Sequence, residues 1–383
     1  MSELNQFRKD PNNFNEYSDE DFEPISNEIV SINLVRSEED HRIYVKKDFN
    51  FIFNEEEDES EEVNLSNDAD SDNESSFSGD CKNPLKYFKR EVQHLYDVQF
   101  VGYPFLHFIG FNYRTTESCP FIITEYMKGK TLGYLIENRF DGYQRPNTLK
   151  MIIFYGVAFA LKILHSMKII HRDIKPENVF LNEEKEPFLG DFGFARYIHE
   201  TPELTDKIGT TYYMPKELFD DENIARPSDK IDSYSFAVMV LKTIGYDLTI
   251  PDRKKKGSVL SLKSNDLDRA TLSDYIKNGG KYIIPETVPK NYRDMIVTCF
   301  SDENERPSMQ RIVKMIDDGE LDLPDFDEVK FNEYKNKLKK AEEKHERRNF
   351  SSSDDHDVVD KKKKKKKPSL SKFKPKISYI KEK

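Results

Sequence analysis

The sequence predicts an α+β protein, with β-structure gathered near the N-terminal end, helices filling most of the rest, and polar tails at both ends. Three observations predict it. Short β-branched and apolar runs, Ile29–Val35, Arg42–Phe49 and Phe121–Met127, lie in the first third of the chain. Longer segments with apolar residues at helical spacing, Leu85–Leu95, Thr148–Met167 and Asp232–Leu241, accompany and follow them. The two ends and one internal stretch, residues 55–80, are made almost wholly of charged and small polar residues, too poor in apolar surface to offset the entropy of ordering.

Composition narrows the class. Of 383 residues, 36% are hydrophobic and 34% charged, below the apolar share of a compact globule, so a foldable middle is diluted by polar segments. Cys81, Cys119 and Cys299 have no metal or redox spacing and form no even disulfide set, which reads as reduced thiols of an intracellular protein. No basic region followed by an apolar run opens the sequence, so no secretory signal is expected. The most apolar segment, Met151–Ile170, is interrupted by Lys162, His165 and Lys168, which argues against a membrane span. The net charge of −11 hides an acidic, serine-rich stretch at Glu55–Asp80 and a basic one at Lys361–Lys383.

The chemistry is concentrated between Ile170 and Glu217. This stretch contains His171-Arg172-Asp173-Ile174-Lys175-Pro176-Glu177-Asn178, then Asp191-Phe192-Gly193, and closes on Gly209-Thr210-Thr211-Tyr212-Tyr213-Met214-Pro215-Lys216-Glu217. Phosphoryl transfer needs an acid to orient the attacking hydroxyl and hard oxygen ligands to hold Mg²⁺ against the β- and γ-phosphates. Asp173 can be the first, with Asn178 and Asp191 as the ligands. These blocks, in this order, resemble the catalytic core of the eukaryotic protein kinase family. The resemblance implies a bilobal fold, with a small antiparallel-sheet N-lobe carrying one helix and a larger, mainly helical C-lobe. It also implies ATP and Mg²⁺ as cofactors and a protein substrate. Lys175, which would contact the γ-phosphate, and Gly209-Thr210 resemble the serine/threonine type. The string Gly279-Gly280, Ile284-Pro285, Cys299-Phe300 and Arg306-Pro307 is similar to the tyrosine-kinase-like branch.

Along the chain, residues 1–20 are expected to be disordered, and 21–317 to form the kinase domain (N-lobe 21–124, C-lobe 128–317, acidic insert 55–80). Ile29–Val35 and Arg42–Val45 form a hairpin about the polar turn Ser37–Asp40 and lead into the strand Tyr44–Phe49, which resembles the family's Val-Ala-Ile-Lys segment. Either Lys46 or Lys47 can reach the phosphates. Strand parity favours Lys47, because the small Val45 then lies against the adenine and Phe49 continues the buried face. Glu91, on the helix Leu85–Leu95, matches the glutamate that pairs this lysine. Phe121–Met127 matches the last N-lobe strand and hinge, with Thr124 at the back of the adenine pocket and the backbone of Glu125 and Met127 facing the adenine edge. By resemblance, Asp232 anchors the catalytic loop backbone, and Arg306 pairs with Glu217 to brace the activation segment. Arg172 could bind a phosphate on Thr201, Thr205, Thr210, Thr211 or Tyr212.

Residues 318–383 are read as an exposed helix (Phe326–Asn349), an acidic disordered stretch and a lysine-rich end. The Lys361–Lys367 run reads first as a solvated, promiscuous tail, with contact to anionic surfaces or the import machinery as the functional alternatives. A cytoplasmic location is expected, with a nuclear one through this run as the alternative. Aromatic residues are too sparse there for specific nucleic-acid binding. Two departures from the family stand out. Ile25–Asn33, where the glycine-rich phosphate loop belongs, holds no glycine, the first in the chain being Gly79; and Pro215-Lys216-Glu217 replaces Ala-Pro-Glu. The first departure supports an alternative to an active enzyme, a catalytically weak pseudokinase acting as a scaffold.

Overall fold

The computed structural model describes residues 14–17, 25–26, 30–50, 84–112, 119–138, 146–200, 210–219, 228–252, 254–261 and 269–354. The acidic insert 55–80, Thr201 and Thr205, and the lysine run 361–367 lie outside them.

Strands β1 (Phe14–Tyr17), β2 (Ile25–Ser26), β3 (Val30–Ser37), β4 (Ile43–Phe49), β5 (Phe108–Asn112) and β6 (Phe121–Glu125) form one antiparallel sheet. Its order is β1-β3-β4-β6-β5, with β2 lying beside β1 along the same edge of β3. The β3–β4 register pairs Val30 with Phe49, Ile32 with Lys47 and Leu34 with Val45. These six side chains therefore share one face, because alternate residues point the same way. Helix α1 (Pro84–Gln99) covers that face, with Phe88 edge-on to Phe49 at 5.1 Å. On the other face Val35, Tyr44, Phe121 and Ile123 form a small separate cluster.

Below the sheet come α2 (Leu132–Glu137), α3 (Asn147–Ser166), α4 (Lys230–Ile244), α5 (Arg269–Lys277), α6 (Lys290–Cys299) and α7 (Met309–Asp317). Three two-stranded ladders accompany them: β7 (Ile169–Ile170) with β10 (Arg196–Tyr197), β8 (Val179–Leu181) with β9 (Pro187–Leu189), and β11 (Thr249–Pro251) with β12 (Val259–Ser261). Helices α3 and α4 are apolar nearly all round because they are buried nearly all round. By length and apolar content α3 could cross a membrane. Here it is a core helix, packed by α4, α7, β7 and β9.

Two expectations are corrected. Phe14–Tyr17, within the segment read as disordered, is the strand β1, paired in a ladder with Leu34–Ser37. Residues Glu328–Asp354 form one helix, α8, whose first half docks through one face where an exposed helix was expected, and whose backbone runs four residues into the stretch read as acidic disorder. Phe331, Tyr334 and Leu338 are buried, and α8 packs along α3.

Candidate active site

The catalytic loop hangs between β7 and β8, and its shape is set from below. Asp232, completely buried near the start of α4, accepts the backbone N–H groups of His171 (2.9 Å) and Arg172 (2.8 Å). Its Oδ2 also lies 2.8 Å from His165 Nε2 on α3. Burial pushes the Asp232 carboxyl up, but His165 and these donors outweigh it and hold it below the usual range. So anchored, Arg172 adopts a left-handed backbone (φ 69°), a conformation that costs a non-glycine residue about 1–3 kcal/mol and recurs at functional sites.

Asp173 follows and is only 1% exposed. The Asn178 amide donates to its backbone oxygen and to Oδ2, both at 2.8 Å. Lys175 Nζ lies 2.8 Å from Oδ2, and Thr210 donates to Oδ1 from its backbone N–H and its hydroxyl, both at 3.3 Å. Lys175 also donates to Thr210 Oγ1 at 3.0 Å. The acid, the cation and the activation-segment threonine thus form one closed network. Thr210 engages the catalytic loop directly here.

Lys47 crosses the cleft. Its Nζ lies 3.0 and 2.9 Å from the two Glu91 oxygens and 3.1 Å from Asp191 Oδ1. Lys46 points to the outer face, where it pairs with Asp48 and lies over the Phe121 ring. The strand parity that separates the two lysines also sets their partners. Burial pulls the Lys47 ammonium down, but Asp191 and Glu91 outweigh it and hold it above its ordinary range. Burial raises Glu91 despite Lys47, since two carboxylates share one cation. Asp191 is held low because Lys47 and Lys175 outweigh its burial. It has a left-handed backbone (φ 59°) and turns out of β9 through Gly190, while the next residue, Phe192, packs on His171 (5.2 Å) and Phe105 (6.2 Å).

At the far end of the segment Arg306 grips Glu217 with both terminal nitrogens, NH2 to Oε2 at 2.9 Å. Its Nε donates to Ser301 O at 3.0 Å, and the guanidinium lies 5.3 Å from the centre of the Tyr234 ring. At the hinge, the Glu125 carboxylate turns away and accepts the His107 backbone N–H at 2.7 Å. The Met127 carbonyl accepts the Lys130 N–H. One residue and one contact in these networks carried no sequence signal. His165 is one more polar residue on a core helix, and the Thr210–Asp173 contact spans 37 positions.

The donor set fits a divalent ion held partly by nucleotide. With its nitrogen committed to Asp173, Asn178 retains its carbonyl oxygen as acceptor, and Asp191 is a depressed carboxylate 27% exposed toward the cleft. Among the described residues no cluster of three or more His, Cys, Asp or Glu side chains could hold a metal alone. Two hard oxygen donors, the Asn178 carbonyl and the Asp191 carboxylate, are the kind of protein share taken by an ion such as Mg²⁺, which keeps several waters and draws its other ligands from phosphates.

A family model described as the protein kinase domain matches residues 73–316, well over half of the chain. The chain belongs to the protein kinase domain family. The match begins after Lys47 and ends before α8. The chain is 28% identical over 248 residues to a Dictyostelium discoideum protein named probable serine/threonine-protein kinase kinY, covering 61% of this chain and 40% of that one. It is 31% identical over 182 residues to rhodopsin kinase grk7-b of Xenopus laevis, covering 47% and 31%. It is 29% identical over 260 residues to phytosulfokine receptor 1 of Arabidopsis thaliana, covering 63% and 24%. The chain spans less than half the length of these relatives.

Proposed function

We propose that the chain is an ATP-dependent protein kinase that phosphorylates serine or threonine hydroxyls. The observation that carries this reading is the closed network around Asp173. A carboxylate with Asn178, Lys175 and Thr210 all directed at it is fixed in orientation before any substrate arrives, as positional catalysis requires. Asp173 orients the substrate hydroxyl and accepts its proton. Lys47, steadied by Glu91, holds the α- and β-phosphates, and Lys175 meets the γ-phosphate. The backbone at Glu125 and Met127 reads the adenine edge, and Asn178 and Asp191 hold Mg²⁺. When bound, the ion neutralises charge building on the phosphate oxygens. Glu217 and Arg306 keep the peptide platform in place. Arg172 is proposed to receive an activating phosphate on the segment, and the protein to act inside the cell, with nuclear access through Lys361–Lys367.

The test is MgATP-dependent phosphate transfer to a generic basic protein by wild type and Asp173→Ala. Loss of a positioned general base lowers the rate by about 10²–10⁴-fold, measured on protein shown to be folded. Equal rates for the two proteins would remove Asp173 from the chemistry. The absence of glycine from Ile25–Asn33 favours a second reading, a kinase-shaped scaffold, because side chains hold the backbone away from phosphates. Wild type that binds MgATP without transferring phosphate would establish that one instead.

A further inference from the structure

Helix α8 begins beyond the family match and packs along α3. Phe331, Tyr334 and Leu338, spaced three and four apart, share its inner face. The Phe331 ring is edge-on to Tyr155 at 5.7 Å and the Tyr334 ring edge-on to Tyr103 at 6.2 Å. Tyr334 fits only because residue 156 on α3 is glycine. A Cβ there would stand 2.1 Å from the Tyr334 hydroxyl oxygen. One turn further on, Lys337 pairs with Glu186, and its Nζ lies 4.5 Å from the centre of the Tyr103 ring. Tyr103 also packs edge-on against Phe188 of β9 at 4.9 Å. It is gripped between the catalytic-lobe hairpin and α8.

The position of Tyr103 gives this grip a consequence. Tyr103 follows the end of α1, which Gly102 closes by donating to Val98 O. The segment is then tied to β9, with Leu189 N donating to Pro104 O (2.9 Å) and Leu106 N to Leu189 O (3.0 Å). Upstream, α1 carries Glu91; downstream, β9 runs through Gly190 into Asp191. The loop that α8 touches therefore joins the supports of both carboxylates that share Lys47.

We infer that α8 is a positioning element for the Lys47–Glu91 pair, with Tyr334 and Lys337 as its positioning residues. Docked, they press Tyr103 against Phe188 and keep α1 seated so that Glu91 reaches Lys47. Undocked, Tyr103 loses one wall, α1 gains freedom to swing outward, and the lysine is left to Asp191. The chain beyond the matched domain thereby adjusts nucleotide affinity. This rests on the reading of Lys47 as the phosphate-binding lysine.

The experiment uses the full chain carrying Tyr334→Ala or Lys337→Glu, with Tyr334→Phe as the variant that keeps the ring. Lys337 is half-exposed, so its change opens no core cavity. Affinity for a fluorescent ATP analogue with Mg²⁺ and amide hydrogen exchange along residues 84–99 are read together. Tyr334→Ala and Lys337→Glu are expected to weaken nucleotide binding by about 2- to 30-fold, the span of typical coupling energies, and to speed exchange around Glu91. Tyr334→Phe is expected to match wild type in both. Faster exchange confined to α8, with affinity and α1 unchanged, overturns the proposal and leaves α8 as a cover for α3. Faster exchange throughout Tyr334→Ala, with Lys337→Glu behaving as wild type, also overturns it. If wild type binds no nucleotide, the phosphoryl-transfer reading fails separately, and α1 exchange still decides the coupling.

Discussion

Lys47 and Arg306 are both cations set among carboxylates and largely shut off from water, yet they are built for different purposes. Lys47 is a point charge divided between Glu91 on α1 and Asp191 beyond β9, so it bridges elements that belong to different lobes. Arg306 is a planar fork matched to both oxygens of one carboxylate, with the Ser301 and Lys230 carbonyls and an aromatic ring around it, and these partners lie in the C-lobe. A flexible ammonium can be shared with an incoming phosphate. A bidentate guanidinium has no spare partner to exchange. On the proposed reading, the contrast separates an ion pair that handles a ligand from one that holds a segment still.

The largest effect expected from breaking this contrast is on stability. Arg306→Ala leaves the half-buried Glu217 without its cation and should cost about 3 kcal/mol, the low end for a buried pair, read as a drop in the denaturant midpoint. A change under about 1 kcal/mol would mean that the brace carries little of the lobe's stability. Next comes Lys47→Met, expected to lower phosphate transfer by about 10²–10³-fold, as removal of one oriented charge does elsewhere. Its stability loss should be small below neutral pH, since Glu91, already raised by burial, takes up a proton. A carboxyl whose folded-state value lies above its unfolded one contributes stability at low pH that is lost as pH rises. Unfolding of this variant should therefore become easier from about pH 5 to pH 8, and a flat profile would show that Glu91 stays ionised. The smallest effect is that of Thr210→Ala, which removes hydroxyl contacts to Asp173 and Lys175 and should cost about 1 kcal/mol. Transfer should fall by about fivefold with no change in nucleotide affinity. A fall in affinity instead would move Thr210 to the nucleotide side of the site.

The site was more legible in the sequence than its supports. Asp173, Asn178 and Asp191 stand close together in the chain at fixed spacing, and Lys47 separates from Lys46 by strand parity alone. The helix carrying Glu91 shows in the spacing of Phe88, Val92 and Leu95, all buried. What escaped depends on partners distant in sequence. Phe14–Tyr17 is four residues of mixed polarity whose ladder partner, β3, lies well along the chain. The buried stripe of α8 was visible in principle, since Phe331, Tyr334 and Leu338 keep helical spacing. The surrounding lysines and glutamates masked it, and many of those charges sit at its rim, as Lys162–Glu342 and Lys339–Asp317 do. The Thr210 network and the His165–Asp232 contact arise from three-dimensional closure that no local pattern encodes.

The burial of α3 has a consequence for how the chain is made. Its apolar sides are covered by α4 and α7, and its last cover, the Phe331–Leu338 face of α8, is synthesised roughly 170 residues after α3 itself. At the usual pace of translation that is a delay of about 10–30 s. Throughout that interval a twenty-residue rod, apolar enough to pass for a membrane span, stands incompletely wrapped on the ribosome. Newly made chains should therefore draw on chaperones until α8 emerges, and a messenger truncated before Tyr334 should yield protein that is captured or degraded while the full-length product folds.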